Sequence, residues 1–201
     1  MMLVIGLTGP SGAGKGVVSH RFAAYGIPVI DADKVYHKLL IPPSACLCEL
    51  VQAFGPQILA SDGTLNRKVL GEIVFSDKEK LSKLNEITHR YVMAAVREQI
   101  NAYRLQNMRA VVLDAPQLFE AGADKDCDVI VSVLADPSIR VERIVQRDGI
   151  TEDAARHRIA SQKSDDFFRA HAHYVIENNG DLSAVIPTVQ KILAETGAFA
   201  E

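Results

Sequence analysis

Five short apolar runs punctuate the chain: Val4–Leu7, Pro28–Ile30, Val111–Leu113, Val129–Leu134 and Tyr174–Ile176. They are rich in Val and Ile and do not alternate with polar residues, which predicts strands covered on both faces. Stretches with helical spacing lie between them. Val92, Val96, Ile100 and Tyr103 fall four, four and three apart, on one face of a long helix. Strands alternating with helices predict an α/β fold with a five-stranded parallel sheet flanked by helices. Ligands of such sheets bind beyond the carboxyl ends of the strands. The segment 9–16, Asp31-Ala-Asp33, Asp114-Ala-Pro116 and Asn178-Asn-Gly180 are therefore the places to look for chemistry.

Residues 35–107 carry helical patterns but no sheet strand, and a turn at Asp62-Gly63 breaks them. The block is too long for an ordinary crossover and predicts a helical insertion over the sheet's active edge. Residues 143–170 form a second insertion, rich in Arg143, Arg147, Arg156, Arg158, Gln162, Lys163 and Arg169. Thr151 ahead of Glu152 and Asp153 marks a helix start within it. This block reads either as a basic flap that closes over a site or as a solvated pair of charged helices. The sheet-forming remainder is 1–34, 108–142 and 171–201. In its last helix Leu182, Val185, Ile186, Val189, Ile192 and Leu193 share a face, with Asp181 as the expected cap. Pro187 is expected to bend that helix or to mark its true start.

Composition narrows the class. The chain has 201 residues, 48% hydrophobic and 23% charged, which suits one compact soluble domain with room for insertions. A net charge of −3 offers no electrostatic footprint for nucleic acid. No apolar stretch reaches membrane-spanning length, so no membrane partner is expected. The N-terminal run lacks a signal peptide's basic flank and is needed as a strand. Three cysteines suit a reducing compartment, and a cytoplasmic location is expected. Cys46-Leu-Cys48 and His171-Ala-His173 are too isolated for zinc and read as packing residues. Nothing signals an oligomer, and a monomer is the expectation.

The first apolar run leads into Gly9-Pro-Ser-Gly-Ala-Gly-Lys15-Gly16. Seven positions fit the phosphate-loop pattern; the eighth, Ser or Thr in the pattern, is Gly16, and Val17 follows. Such glycines let the main chain wrap phosphate oxygens, and successive N–H groups form an anion nest. A helix beginning near Lys15 adds its positive end. Ser11, Gly12, Ala13, Gly14, Lys15, Gly16 and Val17 are thus candidates for gripping a nucleoside triphosphate, with Lys15 on the β/γ oxygens. The missing hydroxyl removes the usual side-chain ligand for magnesium. Water is expected in its place, with Asp31, Asp33 and Asp114 as candidate outer carboxylates. Asp114 reads equally as a cap for the turn before Pro116. Asp33 reads as an N-cap for Lys34–Leu40 or as a base acting on an acceptor. Arg143 and Arg147, one turn apart, read as a phosphate clamp or as a surface pair.

Further motifs, in order, are Gly6-Leu-Thr-Gly9, Val29-Ile-Asp31-Ala-Asp33, Asp62-Gly-Thr-Leu-Asn66-Arg67, Leu84-Asn85-x-Ile87-x-His89, Pro116-x-Leu118-Phe119-Glu120, Arg143-x-x-x-Arg147-Asp148, Gln162 and Val175-Ile-x-Asn178-Asn-Gly180. Their spacing resembles the dephospho-coenzyme A kinase family from Ile5 to about Gly180. The resemblance implies a P-loop kinase core with an acceptor-binding helical insertion at 35–107 and a lid at 143–170. It implies transfer of a phosphoryl group from ATP, with Mg2+, to the ribose 3′-hydroxyl of dephospho-CoA. It implies that Asp33 orients that hydroxyl and accepts its proton, and that Arg143 and Arg147 face the transferring phosphate. Asp31, Arg67 and His89 would serve the acceptor side, and Asn178 and Gly180 the ATP adenine. Departures from the family's pattern are Gly16 for Ser or Thr, Arg90 for Pro, Gln117 for Leu and His173 for Asp. Two rival readings stand beside it: a nucleoside-monophosphate kinase, and a P-loop nucleotide-binding protein of weak activity.

Overall fold

The computed structural model describes residues 2–180 and 182–198. Each expected apolar run forms a strand: β1 (Leu3–Thr8), β2 (Val29–Asp31), β3 (Ala110–Asp114), β4 (Val129–Leu134) and β5 (Tyr174–Glu177). They make one five-stranded sheet in the order β2-β3-β1-β4-β5. β1 pairs in parallel with β3 and β4, and β4 with β5. The helices are α1 (Lys15–Ala24), α2 (Ala32–Leu39), α3 (Ala45–Phe54), α4 (Arg67–Phe75), α5 (Lys78–Leu105), α6 (Pro137–Asp148), α7 (Glu152–Ala160), α8 (Asp165–His171) and α9 (Leu182–Glu195).

Asp31–Asn101 is one compact unit, and the other described residues form a second. In the sheet-bearing unit Val4, Ile5 and Leu7 of β1 are fully buried, which is why this strand lacks alternation. Val18 and Phe22 of α1 and Val185 and Val189 of α9 join the same core. Val17, next to Val18 in α1, is exposed. Pro187 lies inside α9 and does not start it. Asp181, its expected cap, lies outside the described residues, as does the side chain of Leu182. α6 begins at Pro137, so Arg143 stands within a helix and not at an element boundary. Among the described residues no helix is long and apolar enough to cross a membrane.

The unit Asp31–Asn101 has its own core, built on Cys46, Leu50, Phe54, Ile58, Leu70, Val74 and Ile87. Here Asp62-Gly63 makes a tight turn. The Asp62 carboxylate accepts from the Thr64 N–H at 3.0 Å and hydroxyl at 2.6 Å. Asn66 then caps α4 by accepting from Val69 N–H, so the motif presents Arg67 as that helix's first residue.

Candidate phosphate site

The loop after β1 ends at Gly14, whose φ of 87° is left-handed, and α1 starts at Lys15. Helices leave their first N–H groups without intrahelical partners. In α2, α3, α4, α7 and α8 a side chain from Asp31, Ser44, Asn66, Thr151 or Ser164 takes one of them. No side chain does so at α1. Its positive end is open to an anion.

The loop carbonyls are held from the opposite side. Arg140 Nε donates to the Ser11 carbonyl at 3.0 Å. Arg143 Nη1 reaches those of Gly12 and Ala13 at 3.2 and 3.4 Å. Asn178 Nδ2 donates to the Ala13 carbonyl at 2.9 Å from a buried position just after β5. A Cβ on Gly14 would stand 2.2 Å from that Asn178 nitrogen, so both geometry and backbone conformation demand glycine there. Arg147 donates to Ser11 Oγ at 3.4 Å and to the carboxylate of Asp148, which Arg158 also engages. Gln162 Oε1 accepts the Ser11 N–H at 3.0 Å. Lys15 Nζ lies 4.0 Å from Asp114 Oδ1, each side chain mostly buried. Around Gly16 the position of a Cβ has no atom within 4 Å. Gly180, φ 115°, follows β5 at the same sheet edge.

Electrostatics sharpen the picture on α6. The two arginines on Asp148, with Arg147's hydrogen bond the largest effect, draw its carboxyl from 3.8 down to about 2. Burial lowers the Arg140 guanidinium's pKa, and Asp165, 3.0 Å away, pulls it back up.

Asp31, Asp33, Arg67 and His89 lie in the other unit. Asp31, not Asp33, caps α2: its carboxylate accepts the Lys34 N–H at 2.9 Å and meets Lys34 Nζ at 3.2 Å. Asp33 sits exposed in the helix's first turn, because the chain enters α2 two residues earlier than a Lys34 start would require. One turn on, His37 Nε2 lies 3.2 Å from Arg67 Nη1, which brings Asp33's face of α2 beside the start of α4. His89 is half-buried on α5. Arg90, the departure next to it, grips Glu49 of α3, and Tyr91 donates to the same carboxylate at 2.9 Å.

Of the paired Cys and His positions, Cys46 packs in the core of its unit and His173 ties β4 to β5. Cys46 is buried and Cys48 exposed. His173 donates its N–H to the Ile130 carbonyl at 2.9 Å, and its ring Nδ1 accepts the Ile130 N–H at 3.0 Å, extending the β4–β5 ladder by one step. Among the described residues no group of three or more His, Cys, Asp and Glu gathers to hold a metal.

Two residues at the loop carry more than the sequence pattern suggested. Arg140 was unmarked, since it falls among Val141 and Ile144 and looks like a surface charge. Gln162 was marked by its place in a motif, without a role.

Residues 3–184 match the family model described as dephospho-CoA kinase. The dephospho-CoA kinase of Shouchella clausii (strain KSM-K16) is 38% identical over 192 residues, covering 96% of this chain and 98% of the relative. That of Corynebacterium glutamicum is 39% identical over 194 residues, covering 96% and 97%. The solved dephospho-CoA kinase from Campylobacter jejuni superposes with a TM-score of 0.71 at 27% identity, over 97% of each chain.

Proposed function

The chain belongs to the dephospho-CoA kinase family, and on that premise we propose that Lys15 and the loop amides hold the ATP phosphates while Asp33 orients the acceptor hydroxyl and takes its proton. The reaction is ATP-dependent phosphorylation of the ribose 3′-hydroxyl of dephospho-CoA, giving coenzyme A and ADP. One observation carries the phosphate half: α1 starts without a side-chain cap, behind a loop whose carbonyls are turned onto Arg140, Arg143 and Asn178. A loop held by its carbonyls leaves N–H groups for phosphate oxygens.

Transfer of a phosphoryl group asks for alignment and charge neutralisation more than for covalent help. Arg143 and Arg147 supply charge from the flap, where a planar fork suits two phosphate oxygens. Asp31 fixes the first turn of α2 and so the direction of Asp33. Arg67 and His89 serve the acceptor's own phosphates, and Gly180 leaves room for the adenine beside β5. Asn178 acts through the loop. Magnesium, when bound with ATP, neutralises triphosphate charge. Asp114, Asp31 and Asp33 are the candidate carboxylates that would hold the outer shell of a bound ion. Position 16 offers no side chain, so a bound ion would take no side-chain ligand there. Three free thiols suit a reducing cytoplasm, and the protein acts there as a monomer.

ADP release is the test, measured with dephospho-CoA, with AMP and with no acceptor. Turnover with dephospho-CoA alone is expected. Turnover only with AMP would replace the acceptor, and ATP binding without turnover would make the chain a nucleotide-binding protein.

A further inference from the structure

Ser11 is gripped on three of its polar atoms by the arm that runs from α6 to α8. Gln162 accepts its N–H, Arg140 donates to its carbonyl and Arg147 to its hydroxyl. Arg140 is the buried member, 2% exposed. Its Nη1 donates to Asp165, the first residue of α8, at 3.0 Å. Its Nη2 is buried with no acceptor among the described residues. A buried guanidinium with an unsatisfied donor is unfavourable for folding alone. An apolar residue would fill this buried place on α6 with less penalty. The backbone of Arg140 also abuts the loop, since a Cβ on Gly12 would lie 2.6 Å from its carbonyl oxygen.

We propose that Arg140 is a positioning residue for ATP, a strut that fixes the Ser11 peptide and makes the phosphate loop's shape depend on the placement of α8 through Asp165. The strut works by geometry. With the Ser11 carbonyl pulled onto Nε, the following N–H, that of Gly12, points the opposite way, into the loop. Asp165 holds the far end of the fork and keeps Nε aimed. When Asp165 moves with α8, the strut loosens and the nest loses its shape. This gives the flap a second hold on the nucleotide, beside the direct charge of Arg143 and Arg147. The inference rests on the loop being the ATP phosphate site.

The experiment measures Kd for ATP by calorimetry, KM for both substrates and Tm, in Arg140→Met, Arg140→Lys, Asp165→Asn, the Met–Asn double variant and Lys15→Ala. Loss of a charged hydrogen bond on this strut should raise Kd for ATP about tenfold in Arg140→Met, with KM for dephospho-CoA unmoved. Arg140→Lys should recover part of that loss. Asp165→Asn should raise Kd for ATP by a smaller factor, and the double variant should be no weaker than Arg140→Met alone. A folded Arg140→Met with lower Tm and normal Kd for ATP would reduce Arg140 to a packing residue and overturn the proposal. If Arg140→Met does not fold, Asp165→Asn decides, being 32% exposed: a normal Kd there overturns the strut. Normal ATP binding by Lys15→Ala would instead remove the loop assignment itself, and the proposal with it.

Discussion

At the scale of single residues, neighbouring glycines in the loop divide sharply. Gly12 has φ 80°, and a Cβ there would press on backbone atoms of Arg140 at 2.6 and 2.9 Å. Gly16 is helical, and its Cβ would meet open space. Gly12→Ala should therefore destabilise the loop by about 1–3 kcal/mol and weaken ATP binding in step. Gly16→Ser should leave fold and ATP affinity intact and lower the magnesium concentration needed for half-maximal rate. Titrating magnesium in both variants checks this, and a distorted or inactive Gly16→Ser would show that the missing hydroxyl is no vacancy. The two proposed reaction roles separate in the same way. Lys15→Ala should lose ATP affinity and rate together, because its ammonium acts on bound phosphates. Asp33→Asn should bind ATP normally and lose on the order of 10²–10⁴-fold in kcat, the usual contribution of a positioned base. An unchanged kcat would remove Asp33 from the mechanism.

At the scale of elements, Asp148 at the end of α6 joins Arg147 on its own helix to Arg158 on α7. Its depressed pKa means the charged form is the one the fold favours. The clamp is complete above the ordinary carboxyl value of 3.8 and is lost as pH falls through about 2. A carbon-detected NMR titration should place the Asp148 midpoint near 2, and Arg158→Ala should move it upward. A midpoint of 3.8 in the intact protein would mean the clamp does not persist in solution. The elements themselves were largely legible. Strands buried on both faces leave continuous Val and Ile runs, and that signal is local. Asp62-Gly63 and Thr151 carry their turn and cap chemistry in adjacent residues. What escaped was long-range. Arg140 meets Ser11 across 129 positions, and Gln162 does so across 151. No periodicity encodes such pairs. The Asp31–Asp33 exchange was a local miss of two residues: either aspartate can cap, and only the chain's exit from β2 decides which one does.

At the scale of the whole molecule, the described residues fall into two compact units, and the cysteines sample both. Cys46 belongs to the core of Asp31–Asn101, and burial pushes its thiol up to about 11. Cys127 stands against Gly6 of β1 in the sheet-bearing unit, where burial, aided by Asp126, Asp124 and Asp128, raises it to about 12. Its Sγ also donates to the Ala123 carbonyl at 3.3 Å. The nucleophile is the thiolate, so the raised values make buried Cys46 and half-buried Cys127 slow to react near neutral pH, whereas Cys48 is exposed. Ellman's reagent should therefore titrate one thiol per chain promptly, and Cys48→Ser should abolish that phase. The remaining two should react only at the rate at which their units open. On the proposed phosphate site, ATP binds the folded loop and not the unfolded chain. At about 100 times its Kd it should stabilise the folded state by about 2.7 kcal/mol and slow Cys127 modification about 100-fold. Prompt modification of all three thiols in the native protein would contradict the raised values of both Cys46 and Cys127. A Cys127 rate indifferent to ATP would mean that this thiol is reached without opening the unit that holds the loop.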